Sequence, residues 1–303
     1  MTTMLQLVQQ ATTELGLSVP TAVASNTSSD VIQILGLLNA VGYEIQREFD
    51  WEAMTKSYQF NTVSYSYTGD STDGSTSLTN MSSIVGLDAN FQVSGTGINT
   101  NVYVVSASVT TVVIDQAATE TQTTGTFVFG QTKYSLPSDY DRQVNRTHFD
   151  KSKRWEMLGP ESAQQWEWLK SSYISTGPRI RYRILGDKFQ IWPIVSTGDL
   201  LGFEYVSKNW VTGTGITTGP DKASFTADTD TCIFNDRVMV LGLKKKYWEI
   251  KGFDTTAITR DYERYLSIAK ASDHGAATLA FAPRPSSTLI NWSNLPDSGY
   301  GTS

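Results

Sequence analysis

Cysteine occurs once in this chain of 303 residues, at Cys232, and histidine only twice, at His148 and His274. A single cysteine excludes an internal disulfide and a cysteine-built metal site, and reads as a small buried hydrophobe. His148 lies in a polar connector and His274 at the end of a helical pattern. Neither is accompanied by a nucleophile elbow or another catalytic signature. The glycines of "GTGINTN" and "GTGITTG" lack the strand–loop–helix context that phosphate or dinucleotide binding needs. No apolar run approaches the roughly 20 residues of a membrane helix. The start, "MTTMLQLVQQ", has neither the basic start nor the apolar centre of a signal peptide. The expectation is a cytosolically made protein with no cofactor, no metal, no membrane association and no enzymatic activity.

Positive charge is also missing from one long stretch. Between Lys56 and Lys133 there is no basic residue, while Asp70, Asp73, Asp88, Asp115 and Glu120 are acidic, a net of −5. Residues 1–56 carry two basic and six acidic groups, a net of −4, and residues 133–303 carry 22 basic and 19 acidic, a net of +3. No block has the clustered positive footprint of a duplex-DNA binder. What is abundant is Thr, Ser and Gly together with 8 Trp and 14 Tyr, a composition suited to β-structure and interfaces.

Both ends of the chain have helical period. "MLQLVQQATTELGL" places Leu5, Val8, Thr12 and Leu15 on one side and stops at Gly16 and Pro20. "NTSSDVIQILGLLNAVGYEIQREF" can be capped by Ser28 or Ser29, has Asp30 in its first turn, and sets Val31, Leu35, Leu38, Gly42, Ile45 and Phe49 in one seam. Near the other end, "FNDRVMVLGLKKKYWEIKG" aligns Val240, Leu243, Tyr247 and Ile250 and stops at Gly252. "DTTAITRDYERYLSIAKASDHG" aligns Ile258, Tyr262, Tyr265, Leu266 and Ala269, stopping at Gly275.

Between them lie strands. Residues 57–132 read as short alternating strands separated by turns, a small sandwich or barrel. Residues 133–230 read as a β-rich middle with one helix, for which Pro160 takes the first position and Ala163, Trp166, Leu169 and Tyr173 form the stripe. The turns Gly186-Asp187 and Gly198-Asp199 then mark a meander. The fold class is α+β: a discontinuous helical domain (1–56 and 231–282), an inserted β-domain (57–132), the β-rich middle (133–230) and an extended tail (283–303).

Three features invite a functional reading. Arg179, Arg181 and Arg183 project from one face of a strand, opposite Ile180, Tyr182 and Ile184, and suit an acidic partner or a passing phosphate as well as a solvated face. Asp228 and Asp230 could contribute to a cation site, although the loop lacks the remaining ligands. The segment "WEMLGPESAQQWEW" could stack on sugars or bases, or pack in a core. A carboxylate pair for glycoside cleavage is defined in space and stays open.

The order of parts, from a helix pair through "REFDWEAMTKSYQF", "YSLPSDYDR", "RWEMLGPESAQQWEWL", "PRIRYRILGDKFQIWPI", "GFEYVSKNWV" and "FNDRVMVLGLKKKYWEIKGFD", resembles the head-to-tail adaptor proteins of short-tailed bacteriophages, the group that includes tail tubular protein A. The resemblance covers residues 5–56 and 133–280 and leaves 57–132 as an inserted phage-tail-type β-module whose two ends must lie together. It implies a dodecameric ring beneath the portal at the head–tail junction of a virion, made in the host bacterial cytoplasm, with portal, tail nozzle, tail tube or fibre proteins as partners and DNA passing without sequence-specific contact. It also implies that the proline-rich tail, with Arg284, Leu289, Ile290, Trp292 and Tyr300, docks on the portal or a neighbouring subunit. A receptor- or carbohydrate-binding tail component and a polysaccharide-degrading enzyme are the rival readings.

Overall fold

A computed structural model describes residues 2–171 and 179–273. In chain order these contain α1 (Met4–Leu15), α2 (Ser29–Glu48), β1 (Thr55–Asn61), β2 (Ser64–Ser71), β3 (Ser77–Leu78), β4 (Phe91–Gly95), β5 (Val102–Ser108), β6 (Thr111–Ile114) and β7 (Gln122–Gln131). Then come β8 (Lys133–Ser135), β9 (Tyr140–Gln143), β10 (Phe149–Asp150), β11 (Trp155–Glu156), α3 (Ala163–Lys170), β12 (Arg181–Leu185), β13 (Lys188–Trp192) and β14 (Leu200–Ser207). The last are β15 (Val211–Thr212), β16 (Thr231–Cys232), α4 (Asp236–Lys251) and α5 (Thr256–Asp273).

The first and last helices share one core. Met4, Leu7 and Val8 of α1, Ile34, Leu38, Val41 and Ile45 of α2, Val238 to Leu243 of α4, and Ile258, Tyr262 and Leu266 of α5 pack with Trp210, Phe225 and Phe234. Helix ends follow local chemistry. Thr3 and Gln6 make a capping box on α1, Asn235 accepts from the Arg237 and Val238 amides at α4, and Gly16 and Gly252 stop these helices in left-handed backbone. Ser28 caps α2 without a side-chain bond.

Two of the seams differ from the periodic expectation. On α2 the most buried line is Ile34, Leu38, Val41 and Ile45, with Val31 and Leu35 only packed at its flank. On α4 the first half is buried all round while Ile250 is exposed, and Tyr265 of α5 is exposed as well. The reason is close approach from two sides. A Cβ on Gly42 would lie 2.2 Å from the Trp210 ring, and one on Gly242 would lie 2.5 Å from Val41. Small residues let α2, α4 and the Trp210 segment meet, so α4 is sandwiched and not laid on a surface.

Ion pairs clasp the same helices. Glu14 reaches Arg237 at 2.5 Å and Lys244 at 2.8 Å, Glu44 reaches Lys246 at 2.6 Å, and Glu48 reaches Lys270 at 2.8 Å. The acidic excess of the first 56 residues is thus met largely by the cations of α4 and α5.

The middle of the chain forms two sheets that face each other. One has the order β1-β14-β10-β11, with β9 also on β14; the other is β12-β13-β8. Tyr58, Phe60, Leu201, Phe203 and Tyr205 of the first sheet pack on Tyr134, Tyr182, Phe189 and Ile191 of the second. β1 pairs with β14 over its whole length, from Thr55 opposite Val206 to Asn61 opposite Leu200. The stretch "SYQFNTVSYSY" therefore crosses from one sheet to another at Thr62-Val63, and the expected boundary at residue 57 falls inside β1. Alternation marks a strand but does not say which sheet receives it.

The remaining strands form a sheet of order β2-β7-β4-β5-β6-β3 around Phe91, Val93, Val102, Val104, Val112, Phe127 and Phe129. Its outer strands come back together where Asp70 and Thr79 exchange backbone bonds of 2.8 and 2.9 Å, so the sheet nearly closes into a barrel. The barrel is rooted where its two ends meet. The Gln131 amide donates to the Val63 carbonyl at 2.9 Å, so the two ends of the module lie side by side. Thr62 donates from its amide to Asp199 and accepts from the Gly198 amide, and its hydroxyl reaches the Ser196 carbonyl at 2.5 Å. Ile194 fills the space over Gly130, where a Cβ would come within 2.0 Å.

Candidate interface surfaces

The structure separates the residues singled out in the sequence. Arg284, Leu289, Ile290, Trp292, Tyr300 and His274 lie outside the described residues. Arg181 and Arg183 do share the outer side of β12, with Ile180, Tyr182 and Ile184 turned to the core. They are not an uninterrupted cationic row. Arg179 precedes the strand and is exposed, and Arg181 is engaged by Glu161 at 2.7 Å, a carboxylate that is itself largely buried. Backbone bonds Leu158 to Ile180 at 2.8 Å and Glu161 to Tyr182 at 3.0 Å lay residues 158–161 along that edge. Arg181 thus secures a neighbouring segment, which removes it from the set available to a partner.

The aspartates of "TADTDT" are also committed. Asp230 pairs with Lys222 at 2.9 Å and accepts from the Thr226 and Ala227 amides at 2.8 and 2.9 Å. Burial works to raise its pKa, but the Lys222 ammonium and the amide donors outweigh it and hold the carboxyl below the usual range. Asp228 accepts from the Val23 and Ala24 amides at 3.0 and 2.8 Å and so ties the α1–α2 loop to this turn. No group of acidic, His or Cys side chains suited to a metal occurs among the described residues.

His148 is not in a solvated connector. It is 1% exposed and stacked between Tyr182, at a ring-centroid distance of 4.1 Å, and Phe203, at 5.1 Å. Its Nδ1 meets the Tyr182 hydroxyl at 3.0 Å, and burial pushes its pKa down to about 4. The imidazole is a neutral core ring. Cys232 is buried, and burial raises its thiol pKa to about 12. Of the Trp-rich segment, Trp166 is buried against Leu169 and Trp192, whereas Trp155 and Trp168 are exposed. The α3 helix starts at Ala163 behind a Ser162–Gln165 capping box, so Pro160 lies outside it.

Two surfaces emerge that the sequence reading did not single out. On the helical side, Ile32 and Tyr43 of α2, Tyr265 and Ile268 of α5, and Ile250 and Phe253 at the end of α4 are exposed apolar side chains. On the β1-β14-β10 sheet, Arg146, Lys151 and Arg154 line a depression of about 550 Å³ together with Ser57, Phe149 and Glu204. None of the three cations has a carboxylate within 4.0 Å among the described residues. Lys153, their neighbour, is spent on Asp199 at 2.5 Å. The signal was present in "VNRTHFDKSKRW", which holds four basic residues and one acid, but only the fold reveals which of those cations are committed to carboxylates.

Of the residues that the sequence offered for chemistry, His148, Cys232, Asp228, Asp230 and Arg181 are held within the fold. Residues 107–276 match the family described as SU10 adaptor protein. The chain belongs to that family and is a bacteriophage adaptor-type structural protein. The matched segment begins in β5, takes in the last barrel strands and the two-sheet middle apart from β1, and runs through α4 and α5; α1 and α2 lie outside it. No curated protein matches the chain. No helix among the described residues is long and apolar enough to cross a membrane.

Proposed function

We propose that this adaptor assembles as a closed, dodecameric ring beneath the portal, joins capsid to tail at the head–tail junction, and surrounds part of the path of the DNA. The observation that carries the reading is the adaptor-family match over residues 107–276. A ring needs two unlike surfaces per subunit that meet head to tail and close by rotation. The exposed apolar faces of α2, α4 and α5 are of the kind such contacts bury. Tail nozzle, tail tube or fibre proteins are the partners on the other side. The role is non-catalytic: His148, Cys232 and Asp230 are each held in a state that disfavours proton transfer or nucleophilic attack.

Native mass of the purified chain, alone and mixed with the portal ring of the same phage, tests this directly. A large closed oligomer, formed alone or on the portal, is expected. A monomer indifferent to portal would overturn the proposal.

A further inference from the structure

Intrachain pairing leaves two opposite charge surfaces unmatched. Glu14 of α1 and Glu44 and Glu48 of α2 meet cations of α4 and α5, and Asp139 meets Lys56 at 2.8 Å. The barrel has no cation of its own within residues 57–132. At its far end, Asp73 and Glu120 are exposed beside Asp70. Ser71 donates to the Glu120 carbonyl at 2.9 Å, and the Asp73 amide donates to Thr121 at 3.0 Å, which fixes these acids on one tip. Asp70 accepts from Asn80 and from the Thr124 amide, at 2.6 and 2.7 Å, and so helps to build the tip. On the two-sheet middle, Arg146, Lys151 and Arg154 ring their depression with Glu204 as the exposed carboxylate on its rim and Asp150 buried in its wall.

These surfaces cannot neutralise each other within one molecule. The tip lies at the Gln122 end of β7, and the root at its Gln131 end. Ten residues of strand span about 30 Å. Exposed charges are screened beyond roughly 8 Å at physiological salt. The tip is therefore electrostatically independent of its own basic depression, and complementarity is realised only when a second copy is brought alongside.

Building on the ring reading above, we propose that the Arg146–Lys151–Arg154 depression receives the acidic barrel tip, Asp73 and Glu120, of a neighbouring copy of this chain. The contact is heterologous, acid of one subunit on base of the next. It would give the subunits a direction and a salt-sensitive association rate, with the apolar helical faces supplying the burial.

The test mixes full-length Asp73→Cys chains with full-length Arg154→Cys chains under mild oxidation, with native mass recorded on the same samples; the wild-type chain, with Cys232 buried, is the control. A mixed disulfide at least tenfold above that of either variant alone is expected. It should disappear when Arg146→Glu and Lys151→Glu are added to the Arg154→Cys chain, and return when Glu120→Lys is then added to the Asp73→Cys chain. Rings without the mixed disulfide would overturn this contact and leave the ring reading standing. Monomers in every sample would overturn both. Should the Arg146→Glu/Lys151→Glu chain keep its mass and crosslink but lose binding to a duplex oligonucleotide, the depression is a nucleic-acid contact and the proposal fails.

Discussion

His148 shows how a single side chain can carry a pH dependence without any role in chemistry. Its folded-state pKa is depressed to about 4, whereas an unfolded His titrates near 6.5. Between those values the unfolded chain binds the proton and the folded one does not, so stability falls as pH falls through that window. From pH 7 to pH 5 this one group should remove about 2 kcal/mol. Urea midpoints at the two pH values measure it, and His148→Phe, which keeps a ring between Tyr182 and Phe203, should flatten the slope. Asp139 acts lower on the scale. Burial works to raise its pKa, but bonds from Lys56, Tyr205 and Ser207, each at 2.8 Å, hold it below the usual range. Its contribution is present above the ordinary carboxylate value and is lost as pH drops through the lower folded value. Neither behaviour was legible in the sequence. His148 has polar neighbours along the chain, and its burial comes from β12, β13 and β14, which follow it by more than thirty residues.

At the scale of elements, closeness between α2, α4 and the Trp210 segment depends on the missing side chains of Gly42 and Gly242. Gly42→Ala sets a methyl group against a fully buried indole and should cost about 1–3 kcal/mol, as overpacking usually does. Chemical denaturation of the full chain checks it; an unchanged midpoint would mean that the indole has room to move. The helices were legible because the 3.6-residue period and the stops at Gly16 and Gly252 are local signals. Which side of each helix is deepest was not. Apolar residues occur nearly all round α2 and the first half of α4, and only the partners decide among them. Strands of two residues, such as β10, β11, β15 and β16, left no periodic trace, because their pairing is imposed from far away in the chain. Barrel strands with Val and Phe in alternation were readable, but that same alternation misassigned β1.

At the scale of the whole molecule, the correction at β1 changes how the barrel should be removed. Because Val63 and Gln131 are hydrogen-bonded neighbours, replacing residues 64–131 with a short Gly-Ser link should leave the remaining chain folded. Circular dichroism should show the helical signal and one cooperative transition. Removing 57–132 instead takes away Tyr58 and Phe60, half-buried aromatics packed against the middle core, together with most of the β1–β14 ladder. That chain should lose the transition or shift it far down in temperature. If both deletions behave alike, β1 is dispensable to the middle sheets.

The same root has a mechanical meaning. A pull on the barrel reaches the rest of the protein through β1 and β8, the strands that lead into and out of it. β1 is held to β14 by a seven-residue antiparallel ladder whose bonds lie across the strand axis. Tension along β1 therefore loads that ladder in shear, and its bonds must yield together, not one after another as in unzipping. An appendage anchored in this way can transmit force into the particle before it tears loose.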